Sequence, residues 1–331
     1  MDSDCIRMTS YFRERQRAAG RPLAGALTAL YAREEFAASI LLRGTEGLIT
    51  ATAVGPPPGI EAVLGQVAEL TSPGLVTVER ARLLTGDISP LWPGAEPGEA
   101  TRLTVYCGSR DQVYLVPAFE AVCELLYRRG IAGATVLPGV DGTIRGQRQR
   151  PQLLRHDGGA PLMVVAVDPG SEIAMVLPEV GALFRHPVMT VDKVQVCKRD
   201  GQLISRPKAP AAGELPGMAA QLRLTVYTSE AARHDGQPVH RAIARAAGPA
   251  RASVTTQHGA WGFHADHAPH GGHFPRRVRH VPVVTTVIGP PDRVSAAFDV
   301  IDELTADRGL VTAETVLVAE PAARAAARPA Q

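Results

Sequence analysis

Three segments of this chain line up without gaps: Arg7-Met8-Thr9-Ser10-Tyr11, Arg102-Leu103-Thr104-Val105-Tyr106 and Arg223-Leu224-Thr225-Val226-Tyr227. A proline follows each tyrosine by eleven positions, at Pro22, Pro117 and Pro238. A glycine pair spaced by three comes next: Gly44 and Gly47, Gly139 and Gly142, Gly259 and Gly262. The distance from proline to first glycine is 22, 22 and 21. A repeat of this kind constrains the fold more than any total, because each copy is one supersecondary unit and the copies must bury one another.

Within each copy the local physics agrees. The pentapeptide alternates with period two and is rich in β-formers, which predicts a strand. The proline suits a first helical turn, where a missing N–H costs nothing. Phe119, Val122, Leu125 and Leu126 then recur at helical spacing, matched by Leu23, Leu27, Leu30 and Tyr31, and Gly130 reads as a helix stop. A second strand, Ala134 to Leu137 or Ser39 to Leu42, runs into the glycine pair. Third strands follow at Ile49 to Val54, Leu162 to Val167 and Val283 to Ile288, each closed by a Pro/Gly turn. A second amphipathic helix and a last strand complete the unit. The order βαββαβ is the ferredoxin-like, split-βαβ pattern. The expectation is an α+β chain of three tandem ferredoxin-like domains packed as a single-chain pseudo-trimer. The repeats are 5–84, 101–197 and 221–320. Pro/Gly-rich connectors occupy 85–100 and 198–220, and 321–331 is a frayed tail.

The totals exclude several classes. With 35 basic and 33 acidic residues the net charge is +2, which gives no general pull toward nucleic acid or an anionic surface. Aromatics at 5% offer little for stacking on bases. Met1 to Ser10 has no apolar run of the signal-peptide kind, and no stretch approaches the ~20 apolar residues of a spanning helix. Cys5, Cys107, Cys123 and Cys197 show no CxxC spacing and are expected as reduced, partly buried thiols in a cytoplasmic protein. There is no Walker A sequence, nucleophile elbow or HExxH, so no enzyme is expected and no catalytic residue is assigned.

The Leu-Thr-Val-Tyr strand, the proline-started helix and the stretch Gly130 to Gly142 resemble the family known as domain of unknown function 190, within the PII-like superfamily of small trimeric signalling proteins. The resemblance is strongest over 101–197, clear over 221–320 and partial over 5–84. Copy one keeps the family's Arg-Gly as Arg43-Gly44-Thr45-Glu46-Gly47; Pro138 and His258 replace that arginine in the other copies. The resemblance implies a PII fold, usually built from three identical chains and here fused. It also implies effector binding in the clefts between units, with an adenine nucleotide as the expected effector. The partner it implies is a membrane transporter or channel, since genes of the family often accompany fluoride-channel genes.

The loop after the second strand differs most between copies. Gly142 to Asp168 spans 26 positions and Gly262 to Gly289 spans 27, but Gly47 to Gly55 spans only eight. Unequal clefts are therefore expected, one or two of them working. In copy two this loop carries Arg145, Arg148 and Arg150, and guanidinium groups pair bidentately with phosphate. The candidate effector contacts are these three with Gly139 and Gly142. By analogy come the turns at Asp168 and Gly170 and at Gly289 to Arg293, and Lys193 and Arg80 on last strands. The equivalents Arg43, Gly44, Gly47, Gly259 and Gly262 complete the set. Copy three instead places His264, His267, His270 and His273 at every third residue. Imidazole is the commonest ligand for Zn, Cu and Ni, so a metal-binding or structural pseudo-trimer acting through 258–280 is the alternative. Pro269 and Gly271-Gly272 exclude a regular helix there. Tyr11, Tyr106 and Tyr227 are expected as core residues.

Overall fold

The computed structural model describes residues 2–86, 99–150, 159–208, 218–247, 252–264, 267–271 and 281–319. It is a mixed α/β molecule built on one 16-stranded sheet, which closes into a barrel with helices outside. Three stretches of chain each contribute four antiparallel strands in spatial order second, third, first, last. Segment one supplies Ala38–Arg43, Leu48–Gly55, Asp2–Arg13 and Leu75–Leu84. Segment two supplies Gly133–Ile144, Pro161–Asp168, Glu99–Gly108 and Met189–Arg199. Segment three supplies Ser253–His258, Pro282–Gly289, Met218–Ser229 and Leu310–Ala319.

Each segment packs its two helices on its own sheet. Leu23, Leu27, Leu30 and Tyr31 face the strands from helix Leu23–Arg33, beside Ile60, Val63 and Val67 from Pro57–Thr71. Val122, Cys123 and Leu126 do the same from Ala118–Arg128, and Ile243 from Val239–Ala247. Full burial of one such aliphatic side chain stabilises by about 1.5–3 kcal/mol, so helical periodicity alone brings each pair down on its sheet. The opposite sheet faces meet one another. Cys5 and Ala38 of segment one, Tyr106 and Leu137 of segment two and Val284 of segment three share one cluster in the barrel interior.

Two sets of contacts close the barrel. The last strands pair with one another, Met189–Arg199 against both Leu75–Leu84 and Leu310–Ala319, and these two against each other. At two seams the second strands of segments one and two are involved: Leu42 to Ala38 run opposite Gly139 to Ile144, and Gly133 to Val136 run opposite a further strand of segment three, His264 to Trp261. The seams depend on the glycine pair. A Cβ on Gly142 would lie 2.2 Å from the Ser39 carbonyl oxygen, and one on Gly262 would lie 2.4 Å from that of Ala134.

Several local features differ from the sequence reading. The glycine pair does not end the second strand of segment two, which runs through it to Ile144 and turns back as Gln147–Gln149. The ladder to segment one supplies the backbone partners that keep it extended. The His-rich stretch, where described, is a hairpin of Trp261–His264 and His267–Gly271. Strands also reach into the expected connectors, at Glu99, at Lys198 and Arg199, and from Met218, because barrel closure pairs them; Ala100 is buried. A two-stranded hairpin between first strand and first helix recurs three times and was not foreseen, although Ala19-Gly20 and Asp235-Gly236 are its turn signature. Tyr11 and Tyr106 are buried as expected, whereas Tyr227 is half-buried at a cleft wall. All four cysteines are buried.

Candidate functional site in the cleft between segments two and three

The first residues of the three aligned pentapeptides converge inside the barrel. Arg7, Arg102 and Arg223 sit opposite Glu79, Asp192 and Glu314 on their own last strands. Each also reaches an acid of another segment. Arg7 Nη2 donates to Asp192 Oδ1 at 2.7 Å, Arg102 Nη1 to Glu314 Oε1 at 2.7 Å, and Arg223 to Glu79. The six side chains are each 5–8% exposed, and the ring they form is formally neutral. The three carboxylates approach within 4.8 Å of one another, the spacing of a metal site, but three guanidiniums already occupy their lone pairs. Two of the acids titrate in opposite directions. Burial raises Glu314, but Arg102 and Arg223 outweigh it, through near-bidentate contacts, and hold the carboxyl well below its usual range. At Glu79 burial and the neighbouring Glu314 charge outweigh its guanidiniums, two of them 3.4 Å away, and push the carboxyl up. This ring joins the segments and leaves no free charge for a ligand.

A cleft of about 280 Å³ lies elsewhere, between segments two and three. Its floor is the seam of Gly133–Thr135 with Gly262–His264, and apolar groups such as Val165, Val167 and Phe263 line it. Arg199 and Arg308 supply positive charge. Asp168 fixes Arg199: Asp168 Oδ1 accepts from Arg199 Nη1 at 2.8 Å, and Oδ2 accepts from the Ala132 N–H at 2.8 Å. Arg308 is exposed and has no ion pair among the described residues. His264, His267 and His270 line the same cleft, with His264 Nε2 2.7 Å from Asp200 Oδ1 and His270 Nδ1 2.8 Å from the Ala268 carbonyl oxygen. Apolar walls, a few convergent cationic groups and exposed backbone are the ordinary equipment of a small-molecule site.

The sequence candidates are distributed rather than gathered. Gly262, His264, His267 and His270 reach the cleft, with Asp168 behind Arg199. His273 lies outside the described residues. Gly139 and Gly142 lie in the seam of segments one and two, where Arg145 donates its backbone N–H to Ala37 at 2.9 Å. Arg148 pairs with Asp141 at 2.6 Å, and Arg150 is exposed. Gly259 packs between the carbonyls of Pro282 and Val136. Gly44 bridges Gln257, Gly47 turns the chain at φ +69°, and Arg43 pairs with Glu14 at 2.5 Å. Gly170 begins a helix, Lys193 is 3.2 Å from Glu99, Arg80 is exposed opposite Ile6, and Arg293 lies 3.6 Å from Asp292. Sequence reasoning missed Arg199, which ends the last strand of segment two, and Arg308, which lies in the bend before the last strand of segment three. It also missed the arginine ring, although an arginine opens all three aligned pentapeptides.

Two stretches, residues 100–196 and 221–318, match the family model DUF190, described as Uncharacterized ACR, and together they are more than half of the chain. The chain belongs to the DUF190 family. The two DUF190 matches cover segments two and three, so the cleft lies between two recognised family units, and segment one falls outside the match. Solved structures with some likeness include aspartate kinase from Synechocystis, at TM-score 0.27 and 11% identity, covering 93% of this chain and 43% of the kinase. An anthrone oxidase-like protein matches at TM-score 0.18 and 12% identity, covering 57% of this chain and 92% of its own. Likenesses this slight carry no inference about the DUF190 chain.

Proposed function

We propose that this protein is a PII-like regulator: a single-chain pseudo-trimer of ferredoxin-like units that binds a small anionic effector between units and passes its occupancy to a partner. The observation that carries the reading is the cleft between segments two and three. Its apolar walls suit a flat ring system, and Arg199, Arg308 and the backbone at Gly133 and Gly262 suit a phosphate or carboxylate. An adenine nucleotide has both parts. The arginine hairpin of segment two, with Arg145, Arg148 and Arg150, stands apart from this cleft and is the surface that meets the partner, a transporter or channel. Thermal shift against adenine and cyclic nucleotides tests the reading, since a ligand of the native state raises its apparent stability. Arg308→Ala weakens the response tenfold or more, the ~1.5–3 kcal/mol of a charge-assisted hydrogen bond, whereas alanine at the three hairpin arginines leaves it intact. Silence from every nucleotide at millimolar concentration sinks the effector reading.

A second reading has one observation in its favour: three histidines line the same cleft. Stabilisation by zinc that is lost in His267→Ala/His270→Ala, without any nucleotide response, selects it.

A further inference from the structure

The aligned pentapeptides bring more than arginine into the barrel. Residues two apart on a strand share a face, so the threonine that follows each ring arginine by two positions also points inward: Thr9, Thr104 and Thr225. The third strands set Thr52, Val165 and Thr286 opposite these three. Together they line a second cavity, of about 90 Å³, with the arginine–carboxylate ring as one wall. All five of these threonines are buried.

The ring does not face this cavity evenly. All three of its arginines line the cavity, but of its three acids only Glu79 does. The ring is neutral as a whole, yet the groups it turns to the cavity are mostly donors. One guanidinium N–H is also unused: Arg102 is 6% exposed, and its Nε has no hydrogen-bond partner among the described residues. Buried polar groups are ordinarily paired, so an orphaned donor in a cavity wall asks for an acceptor. The side chains of Thr104, Thr225 and Thr286 make no hydrogen bond among the described residues either, which leaves three hydroxyls to turn inward.

We infer that this cavity binds a small monovalent anion, a halide or nitrate, held among Arg102, Thr104, Thr225 and Thr286. The donor set decides the class. A guanidinium N–H can only donate, and a threonine hydroxyl rotates to donate or accept. Converging N–H and O–H dipoles hold an anion without a free cation beside it. A cation entering the same space would meet three guanidiniums and a single carboxylate. At about 90 Å³ the cavity holds an ion with a few waters, each of which claims roughly 30 Å³ in the liquid, and no nucleotide.

Thermal unfolding of the full chain in about 100 mM sodium bromide, against sodium gluconate at the same concentration, tests the site. Gluconate carries the same charge and is too large to enter. Bromide is expected to raise Tm by about 2–4 °C over gluconate. Thr104→Val with Thr225→Val abolishes that gain, because valine keeps the shape and removes the hydroxyl donors. Glu79→Gln enlarges it, because the one ring acid lining the cavity loses its charge. In crystals of the native protein soaked in sodium bromide, the anomalous signal falls inside the barrel beside Thr104 and Thr225. Equal Tm in the two salts overturns the proposal and leaves ordered water as the occupant. So does a gain that survives loss of both hydroxyls, and so does bromide found only on the outer surface.

Discussion

Arg102 of segment two grips Glu314 of segment three with both guanidinium nitrogens, Nη1 to Oε1 at 2.7 Å and Nη2 to Oε2 at 2.8 Å, inside the barrel and away from water. Removing one member of such a pair strands a buried charge. Arg102→Met is expected to cost about 3–5 kcal/mol in urea unfolding. Adding Glu314→Leu recovers part of that loss, with a coupling of about 0.5–3 kcal/mol in the double-mutant cycle.

The same ring sets the acid stability. Glu314 is held below its ordinary range, so its contribution is complete above the unfolded value of about 4.3 and is lost as pH falls from there toward the folded value. Glu79 is raised, so its ionisation weakens the fold as pH rises from the unfolded value through the folded one. Urea midpoints measured between about pH 3 and pH 7 therefore show a steep acid limb in the native protein. Glu314→Gln flattens that limb and Glu79→Gln does not.

The second glycines are not equivalent despite their identical spacing. Gly142→Ala forces a Cβ onto the Ser39 carbonyl and is expected to cost about 2–3 kcal/mol or more. Gly47→Ala meets open space and pays only for its φ of +69°, about 1–2 kcal/mol. Denaturant midpoints of the two variants check the order.

The hairpin of segment two carries Tyr114 and Leu115 at φ +48° and +70°, exposed at 95% and 89%. Its siblings place Ala19-Gly20 and Asp235-Gly236 in the same conformation. Tyr114→Asp with Leu115→Gly is expected to raise Tm by about 2–4 °C, through relief of the left-handed leucine. Calorimetry reads the shift directly.

The thiols are expected to be inert in the native state. Burial raises Cys107 and Cys197 to about 12 and pushes Cys123 higher still. Thiolate is the reactive form. Modification by a thiol reagent therefore follows global unfolding, and its rate tracks urea concentration.

Much of the fold was legible because it rests on local periodicity. Alternation in Leu103 to Tyr106, the helical recurrence of Val122 and Leu126, and the turns at Gly55-Pro56 and Asp168-Pro169 each act through neighbours in sequence. The candidate site was legible only in part. His264 and Gly262 drew notice by composition and spacing, but Arg199 and Arg308 come to line one cleft only when two segments are brought together.

By itself, then, the sequence determined the repeated unit: its element order, its amphipathic faces and the loss of one long loop. The tertiary structure alone decided what the repeated residues are for. Glycine pairs that resemble phosphate turns became strand seams at Gly142 and Gly262 and a tight turn at Gly47. Arginines that merely opened strands became an intersegment ring. The reason is physical: turn and strand preferences are paid within a few residues, whereas close backbone approach and buried charge pairing depend on which distant segment arrives opposite.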